Sequence, residues 1–560
     1  MSNPVFAADF ETTTKDDDCR VWLWGFAEVG DIDVEWGVDI IGFIRAVSAQ
    51  DSTVYFHNLK FDGTFILDAI LRAGYQHKDK AYRAGTFQTL IDKMGKFYSI
   101  KVFWRNGCVT EFRDSLKKLP FRISQIAESW GLPTSKGDLD YTMEREPGYQ
   151  PTPEEIDYLE RDIQILSLAL QTQFDSGMVK LTVGSDSLNE YKRLTTPQRF
   201  KRYFPVLAKD VDQEIRQAYR GGYTYADPRY KSRQVGKGSV YDVNSLYPSV
   251  MRHEFLPYGE PVYVDGLPEP SKAYPLFIVS MTFTAKLKPG YVPIIQVKAS
   301  TVFAESEYQT EITEPVTLVF TSVDLGMIFR HYDIDVLSYN GGYVFKARYG
   351  LFDEYIDKWS EIKATNKGAK KQIAKLHLNS LYGKFASNPD VTGKYPVLED
   401  NKVKLKIGAD SERDPVYTAM GAFITAYARR VTITAIQANY DRFMYCDTDS
   451  IHLAGWDKPD GVEVHDDKLG AWAHENDFTA AWYIRAKAYI ELITPKTVCK
   501  HNEWFTLQKH DVHIAGVPSN IATRLTFADI FDGHELHGKL VPRTVPGGVV
   551  LHDSSFTLKT

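Results

Sequence analysis

The sequence predicts an α+β protein of several domains. Length is the first reason: 560 residues leave room for roughly four domain-sized units. Composition is the second: 43% hydrophobic and 25% charged residues describe a globular chain with enough apolar material for several cores. Pattern is the third. Strand-type runs such as VFAADFET and RFMYCDTDSIHL, and helix-type runs such as LFDEYIDKWSEIK and KKQIAKLHLNSLYGKF, both recur along the chain. A net charge of -7 excludes a globally basic nucleic-acid binder, so any such role needs local basic surfaces. The 33 Tyr, 31 Phe and 10 Trp suit base stacking and large cores alike. Cys19, Cys108, Cys446 and Cys499 are widely spaced and form no CxxC, which predicts a reduced chain without disulfides or a zinc site. There is no basic-then-apolar leader and no apolar run long enough to span a bilayer, so no signal peptide, no membrane partner and a cytoplasmic location are expected.

Val5 to Thr12 reads as a buried strand. Asp9 and Glu11 alternate on it, so both carboxylates project from one face. VYFHNLKFDG, from Val54, is a strand opening into a helix with Asp62 near its start. Thr152, Pro153 and Glu155 have the spacing of an N-cap, N1 and N3, a capping box. The helix that follows carries Ile156, Leu159, Ile163, Leu166 and Leu170 as an apolar stripe, with Tyr158 and Asp162 sharing another face. Singly, each acid reads as a strand end, a helix start or a solvated face. Together, Asp9, Glu11, Asp62 and Asp162 can cup two divalent metals that clamp the oxygens of a phosphoryl displacement. Tyr158 then orients the attacking water.

DFET, NLKFD and YLERD resemble the three exonuclease motifs of proofreading DNA polymerases, whose fold is ribonuclease H-like. The resemblance implies metal binding by Asp9, Glu11, Asp62 and Asp162 and water positioning by Tyr158. It also implies that Thr12, His57, Asn58, Phe61 and Phe65 hold a frayed primer end, the aromatic faces stacking bases without reading sequence. DSLKKLPF resembles a further single-strand-binding element, which brings in Ser115, Leu116, Lys117 and Phe121. KGD resembles a supporting-lysine motif, with Lys136 as the lysine and Asp138 close to a metal.

Between Lys192 and Lys237 the chain turns locally basic, as solvated charge or as a phosphate track. Within this stretch Tyr219, Gly221 and Gly222 resemble a YxGG element, whose glycines let backbone approach a template strand. Val240 to Pro248 reads as a strand ending at Asp242, then a tight turn. DVNSLYP resembles the first polymerase motif of family B. By that resemblance Asp242 and the Val243 carbonyl bind metal, Ser245 contacts triphosphate, and Tyr247 lies under the incoming sugar and excludes a 2'-hydroxyl.

Residues 254–350 are rich in strand formers, proline and turn signals and read as an inserted domain. Helical pattern resumes near Leu351. Over residues 368–385, Lys371, Lys375, Asn379 and Tyr382 fall within an arc of roughly 80°, and lysines on such a face can grip a triphosphate. The stretch resembles the second polymerase motif, KxxxNSxYG. That implies triphosphate binding by Lys375 and by Lys363, with Asn379 and Tyr382 flanking the nascent base pair and Gly383 permitting close packing. Residues 388–415 interrupt with turn and charge signals. Thr425 and Arg429 resemble a primer-template motif, TxxAR, and Lys487 and Tyr489 a primer-holding KxY.

Arg442 to Leu453 reads as strand, acidic turn, strand. An isolated DTD turn is commonly a solvated loop. Two carboxylates so close repel unless a cation sits between them, and YCDTDS resembles the third polymerase motif. Asp449 is the direct metal ligand on this reading, with Asp447 beside it; Cys446 is packing.

These motifs run in order over nearly the whole chain, which is identified as a member of the protein-primed family B DNA polymerases of small tailed bacteriophages, the phi-twenty-nine-like group. The resemblance implies an exonuclease at 1–182, palm at 183–253 and 418–515, fingers at 351–386, and a thumb at 516–560. It implies two inserted terminal-protein regions, at 254–350 and 387–417, the first docking a priming protein and the second closing a ring around DNA. Residues 490–516 depart from the subgroup. The implied activity is DNA-templated synthesis with strand displacement and 3'-5' proofreading. Its implied cofactor is Mg2+, two ions per site, with Mn2+ as substitute. Primer-template and single-stranded DNA, dNTPs and a terminal protein are the implied partners of a monomer in the host cytoplasm. A nuclease with a merely DNA-binding C-terminus, a reverse transcriptase and a non-catalytic scaffold are the alternatives. Intact DxxSLYP and DTDS disfavour the first, and the N-terminal acids disfavour the second. Extension of a labelled primer separates all three.

Overall fold

The computed structural model describes residues 3–80, 82–132, 139–141, 143–297, 308–500, 503–507, 509–530 and 533–558, without side chains for 496–508. Two large sheets organise it. In the first, the strands run Glu35–Gly37, Val21–Glu28, Val5–Thr12, Ser52–Phe56, Val109–Asp114, Phe97–Phe103, Thr86–Ile91 and Gln76–His77. Val5–Thr12 lies inside this sheet, antiparallel to one neighbour and parallel to the other, so its acids open onto a face rather than an edge. Leu59–Arg72 and Pro153–Asp175 pack as helices on the sheet. Thr152 and Glu155 form the predicted capping box, and Leu159, Ile163, Leu166 and Leu170 are buried beneath the helix.

The second sheet is antiparallel, in the order His510–Ile514, Ala488–Ile493, Trp472–Arg485, Gly238–Val243, Ser450–Ala454, Phe443–Asp447 and Thr224–Ala226. Thr418–Ala438 packs behind it as a helix buried along most of its length, as its nearly continuous apolar sequence requires. Asp353–Thr365 and Gly368–Phe385 pair as two helices beside it.

Two smaller sheets fall within residues 254–350 and 387–417. One has four strands, Leu256–Val264, Tyr332–Arg348, Leu276–Leu287 and Glu311–Thr321. The other is the hairpin Lys394–Glu399 and Lys402–Ile407. Its two-residue turn places Asp400 and Asn401 at φ 52° and 60°, the left-handed pair a tight hairpin demands. Residues 490–516 fall in the strands Ala488–Ile493 and His510–Ile514 of the second sheet and in a hairpin, Lys496–Lys500 with Glu503–Leu507. No helix among the described residues is long and apolar enough to cross a membrane.

The C-terminal hairpin, Glu535–Val545 and Gly548–Thr557, leans back onto the helix Leu59–Arg72 and the strand Lys402–Ile407. Val545, Val549 and Val550 join Val403 of the inserted hairpin and Phe56 and Phe65 in one apolar core. At the tip Gly547, at φ 92°, lies so close that a Cβ would come within 2.2 Å of the Cys19 carbonyl oxygen. His552 Nε2 meets Asp16 Oδ1 at 2.6 Å.

Candidate active sites

Each sheet presents a cluster of acids. On the second sheet Asp242, Ser450 and Asp447 are cross-strand neighbours. Between the two acids of the turn, Thr448 sits at φ 64°, a strained conformation for a β-branched residue. The Thr448 N–H donates to the Tyr223 carbonyl at 2.8 Å, the Asp449 N–H to the Asp447 carbonyl at 2.8 Å, and the Val243 N–H to the Asp449 carbonyl at 2.8 Å. Backbone bonds thus lock Asp449 to the Asp242-Val243 strand end.

Burial, then the charges of Asp449 and Glu475, push the Asp242 carboxyl up to about 8. Burial and the charges of Asp447 and Glu475 likewise raise Asp449. Asp447 is different: it accepts from Lys487 Nζ at 2.6 Å and Thr224 Oγ1 at 2.9 Å. Among the described residues no three His, Cys, Asp or Glu side chains form a closed metal cage. Asp242, Asp449 and the adjacent Val243 carbonyl fit Mg2+, which takes one or two carboxylates and completes its shell with water and substrate phosphates. Glu475 is an acid that sequence reasoning missed, since the register that brings it near exists only in the folded sheet.

Opposite these acids lies positive charge. Burial and the fields of Lys375 and Lys371 pull Lys363 down, so three lysines share one region. Lys363 Nζ donates to Ser245 Oγ at 2.9 Å. Lys375 and Asn379 are exposed, and Gly383 faces open space. Tyr247 and Tyr382 stack with centroids 4.0 Å apart at 18°. Tyr219 is half-buried, and burial first, then Tyr382, raises its hydroxyl above the usual tyrosine value. The Lys487 N–H donates to the Tyr445 hydroxyl, and Tyr489 packs its ring on those of Tyr445 and His513.

The first sheet carries the second cluster. Burial first, then the charges of Asp9 and Glu11, raise Asp62 well above the usual carboxylate range. Tyr158 is pushed up to about 12 by burial and by Asp162, Glu11 and Asp9, and its hydroxyl lies 3.1 Å from that of Tyr141. Asp9 and Glu11 thus act on both Asp62 and Tyr158, and Asp162 acts on Tyr158; carboxylates are the donor type that suits hard divalent cations. Thr12 and Phe61 are half-buried and Asn58 is exposed at φ 80°. Asp114, absent from the sequence prediction as a site residue, accepts from the N–H groups of Asn58 and Leu116 at 3.2 and 3.0 Å and pairs with Lys117 at 2.8 Å.

Several predicted DNA contacts are corrected. Thr425 is 1% exposed and bonds back to its own helix at Gly421. Arg429 is 6% exposed; it grips Asp324 with both arms of its guanidinium and donates to the carbonyls of Arg220 and Gly221. It shapes the YxGG segment from behind. Gly222 makes room for the Thr448 side chain, which a Cβ would meet at 2.6 Å, whereas Gly221 is open. Phe65 is buried against Gly548. His57 is spent on Ser115 Oγ and the Phe121 carbonyl, and Ser115 is fully buried, so these two position the segment that carries half-buried Leu116 and Phe121. Lys136 and Asp138 lie outside the described residues.

A family model for DNA polymerase type B, organellar and viral, matches residues 44–467. The chain belongs to the type B DNA polymerases. It is similar along its whole length to the DNA polymerase of Bacillus phage Nf, at 46% identity with 100% of both chains covered. It superposes on phi29 DNA polymerase complexed with primer-template DNA at a TM-score of 0.95, with 44% identity and 100% of both chains covered. The complex of that polymerase with primer-template DNA and incoming nucleotide gives a TM-score of 0.94 at 44% identity, again with 100% of both chains covered. The chain is thus a phi29-like DNA-directed DNA polymerase, with an exonuclease fold followed by palm, fingers and thumb.

Proposed function

We propose that this polymerase replicates a phage genome by protein-primed initiation and strand-displacing synthesis, and edits its product with a separate 3'-5' exonuclease. The observation that carries the two-site reading is the pair of acid clusters on separate sheets, one facing lysines and stacked tyrosines, the other facing Tyr158. In the polymerase site Lys363, Lys371 and Lys375 grip the dNTP triphosphate with Ser245. Tyr247 and Tyr382 bound the sugar, and Asn379 and Gly383 leave space for the base pair. Lys487 and Tyr489 hold the primer end. A primer 3'-hydroxyl, or a terminal-protein hydroxyl at initiation, attacks the α-phosphate in line and pyrophosphate departs. Mg2+, or Mn2+ in its place, would be held in pairs by Asp242, Asp449 and the Val243 carbonyl and by Asp9, Glu11, Asp62 and Asp162, neutralising charge on the transferring phosphoryl group. At the second site Tyr158 orients water while Asn58, Phe61 and Leu116 receive single-stranded DNA.

Exposed Val262, Tyr263, Leu267 and Leu337 on the four-stranded insertion support a docking face for a priming protein. The shared core of Val403, Val545 and Phe65 supports a ring around DNA and hence processive strand displacement. The chain acts as a monomer in the host cytoplasm on this reading.

A labelled primer-template, incubated with and without dNTPs, tests the assignment. Asp449→Asn should abolish extension and keep degradation. Asp9→Ala with Glu11→Ala should do the reverse. Loss of both activities in either variant refutes the two-site picture, and extension on a primed circle that stops after one lap refutes strand displacement.

A further inference from the structure

We infer that Thr432 is a positioning residue for nucleotidyl transfer, acting through the strained peptide of the acidic turn. The inference rests on the proposal that Asp242 and Asp449 serve polymerisation. Thr432 lies in the helix Thr418–Ala438 and is fully buried. A threonine inside a helix normally returns its hydroxyl proton to the carbonyl four residues earlier, as Thr425 does with Gly421 at 3.0 Å. Thr432 departs from this habit. Its Oγ1 is 3.4 Å from the Ala428 carbonyl but 2.6 Å from the carbonyl of Thr448. The single hydroxyl proton therefore leaves the helix and goes to the turn.

The recipient is the one residue of the turn whose backbone is under strain, Thr448 at φ 64°. A non-glycine residue persists there only where its surroundings over-determine it. Three contacts do so. The Tyr223 carbonyl takes the Thr448 N–H at 2.8 Å. The Thr432 hydroxyl fixes the carbonyl on the other side. Gly222 leaves the space that the Thr448 side chain fills. The Thr448 carbonyl belongs to the peptide that leads into Asp449, and the Asp449 carbonyl in turn takes the Val243 N–H. Thr432 thus sets the peptide plane from which the Asp449 carboxylate is presented. It touches no substrate, and no acid lies among its hydrogen-bond partners.

The test compares Thr432→Val, which keeps the branched shape and removes the hydroxyl, with Thr432→Ser, which keeps the hydroxyl. Extension kcat, KM for dNTP, degradation of single-stranded DNA and Tm are measured on the full-length polymerase, with Asp449→Asn alongside. Thr432→Val should lose on the order of ten- to a hundredfold in kcat, the scale of a small misplacement of a reacting group. KM and single-strand degradation should stay within about twofold, and Thr432→Ser should recover most of the rate. Wild-type kcat in Thr432→Val overturns the inference. So does equal damage in Thr432→Ser, or a parallel fall in degradation, which would mark a general folding defect. Extension by Asp449→Asn overturns instead the site assignment on which the inference rests.

Discussion

Lys487 Nζ lies 2.6 Å from Asp447 Oδ1, and this ion pair separates the two acids of the turn into different tasks. Asp447 has its cation within the chain; Asp449 shares its repulsion with Asp242. With 40% and 27% of the two side chains exposed, the pair adds no more than about 1 kcal/mol to stability. Its value is geometric. Lys487→Met should therefore leave Tm nearly unchanged while lowering primer extension by about tenfold or more. Asp447→Asn combined with Lys487→Met should be less damaging than the sum of the single changes. An additive double-mutant cycle would disprove the coupling.

Gly222→Ala should damage extension selectively. The new methyl would overlap Thr448, displacing the turn, whereas Gly221→Ala meets open space. Steady-state extension by the pair is the check: a loss of about tenfold or more at position 222, against little change in stability at 221. Equal Tm and rate in both variants would contradict the packing described.

Arg429→Met removes one partner of a buried ion pair whose side chains are 6% and 8% exposed. The stranded Asp324 charge should cost about 3 to 5 kcal/mol. Adding Asp324→Leu should restore part of that loss, measurable by urea unfolding. If Arg429 served DNA alone, unfolding would be unaffected and only binding would weaken.

His377 makes stability sensitive to acid. Its ring stacks on Trp359 at 3.9 Å and lies 3.2 Å from the Tyr355 hydroxyl. Burial, aided by Lys358 and Lys118, pulls the imidazole down to about 3 from its usual 6.5. The unfolded chain takes a proton below about pH 6.5 that the folded chain refuses until about pH 3. The stabilisation is complete above that window and lost as pH falls through it, by at most about 1.4 kcal/mol per pH unit. His377→Gln should be less stable at pH 7 yet show a flatter decline between pH 6 and 4. Parallel stability curves would disprove it.

The acids were legible in the sequence because strand alternation and turn chemistry are local. Asp9 and Glu11 needed only a period of two, Thr152 and Glu155 only a spacing of three, and the helix of Lys371 and Lys375 only its own pattern. What failed was any role decided by a distant neighbour. Arg429 looks like a DNA-facing cation until Asp324, 105 residues away, claims it. Phe65 looks like a stacking platform until Gly548 covers it. Glu475 carries no signal at all before Trp472–Arg485 takes its register beside Asp242. The hairpin at 394–407 was legible only as turns and charges, although Asp400-Asn401 held the signature of its tight turn.

The seating of Gly547 and Gly548 on Cys19 and Phe65 has a consequence for how the chain is made. Synthesis delivers the first sheet hundreds of residues before the hairpin that covers it, and domains fold as they emerge. The nascent N-terminal unit therefore waits with its Phe65 face bare. Closing it requires contacts of very large sequence separation, which are slow to form. A chain that stops before Val545 leaves that face permanently uncovered, so premature termination yields a sticky fragment rather than a smaller enzyme.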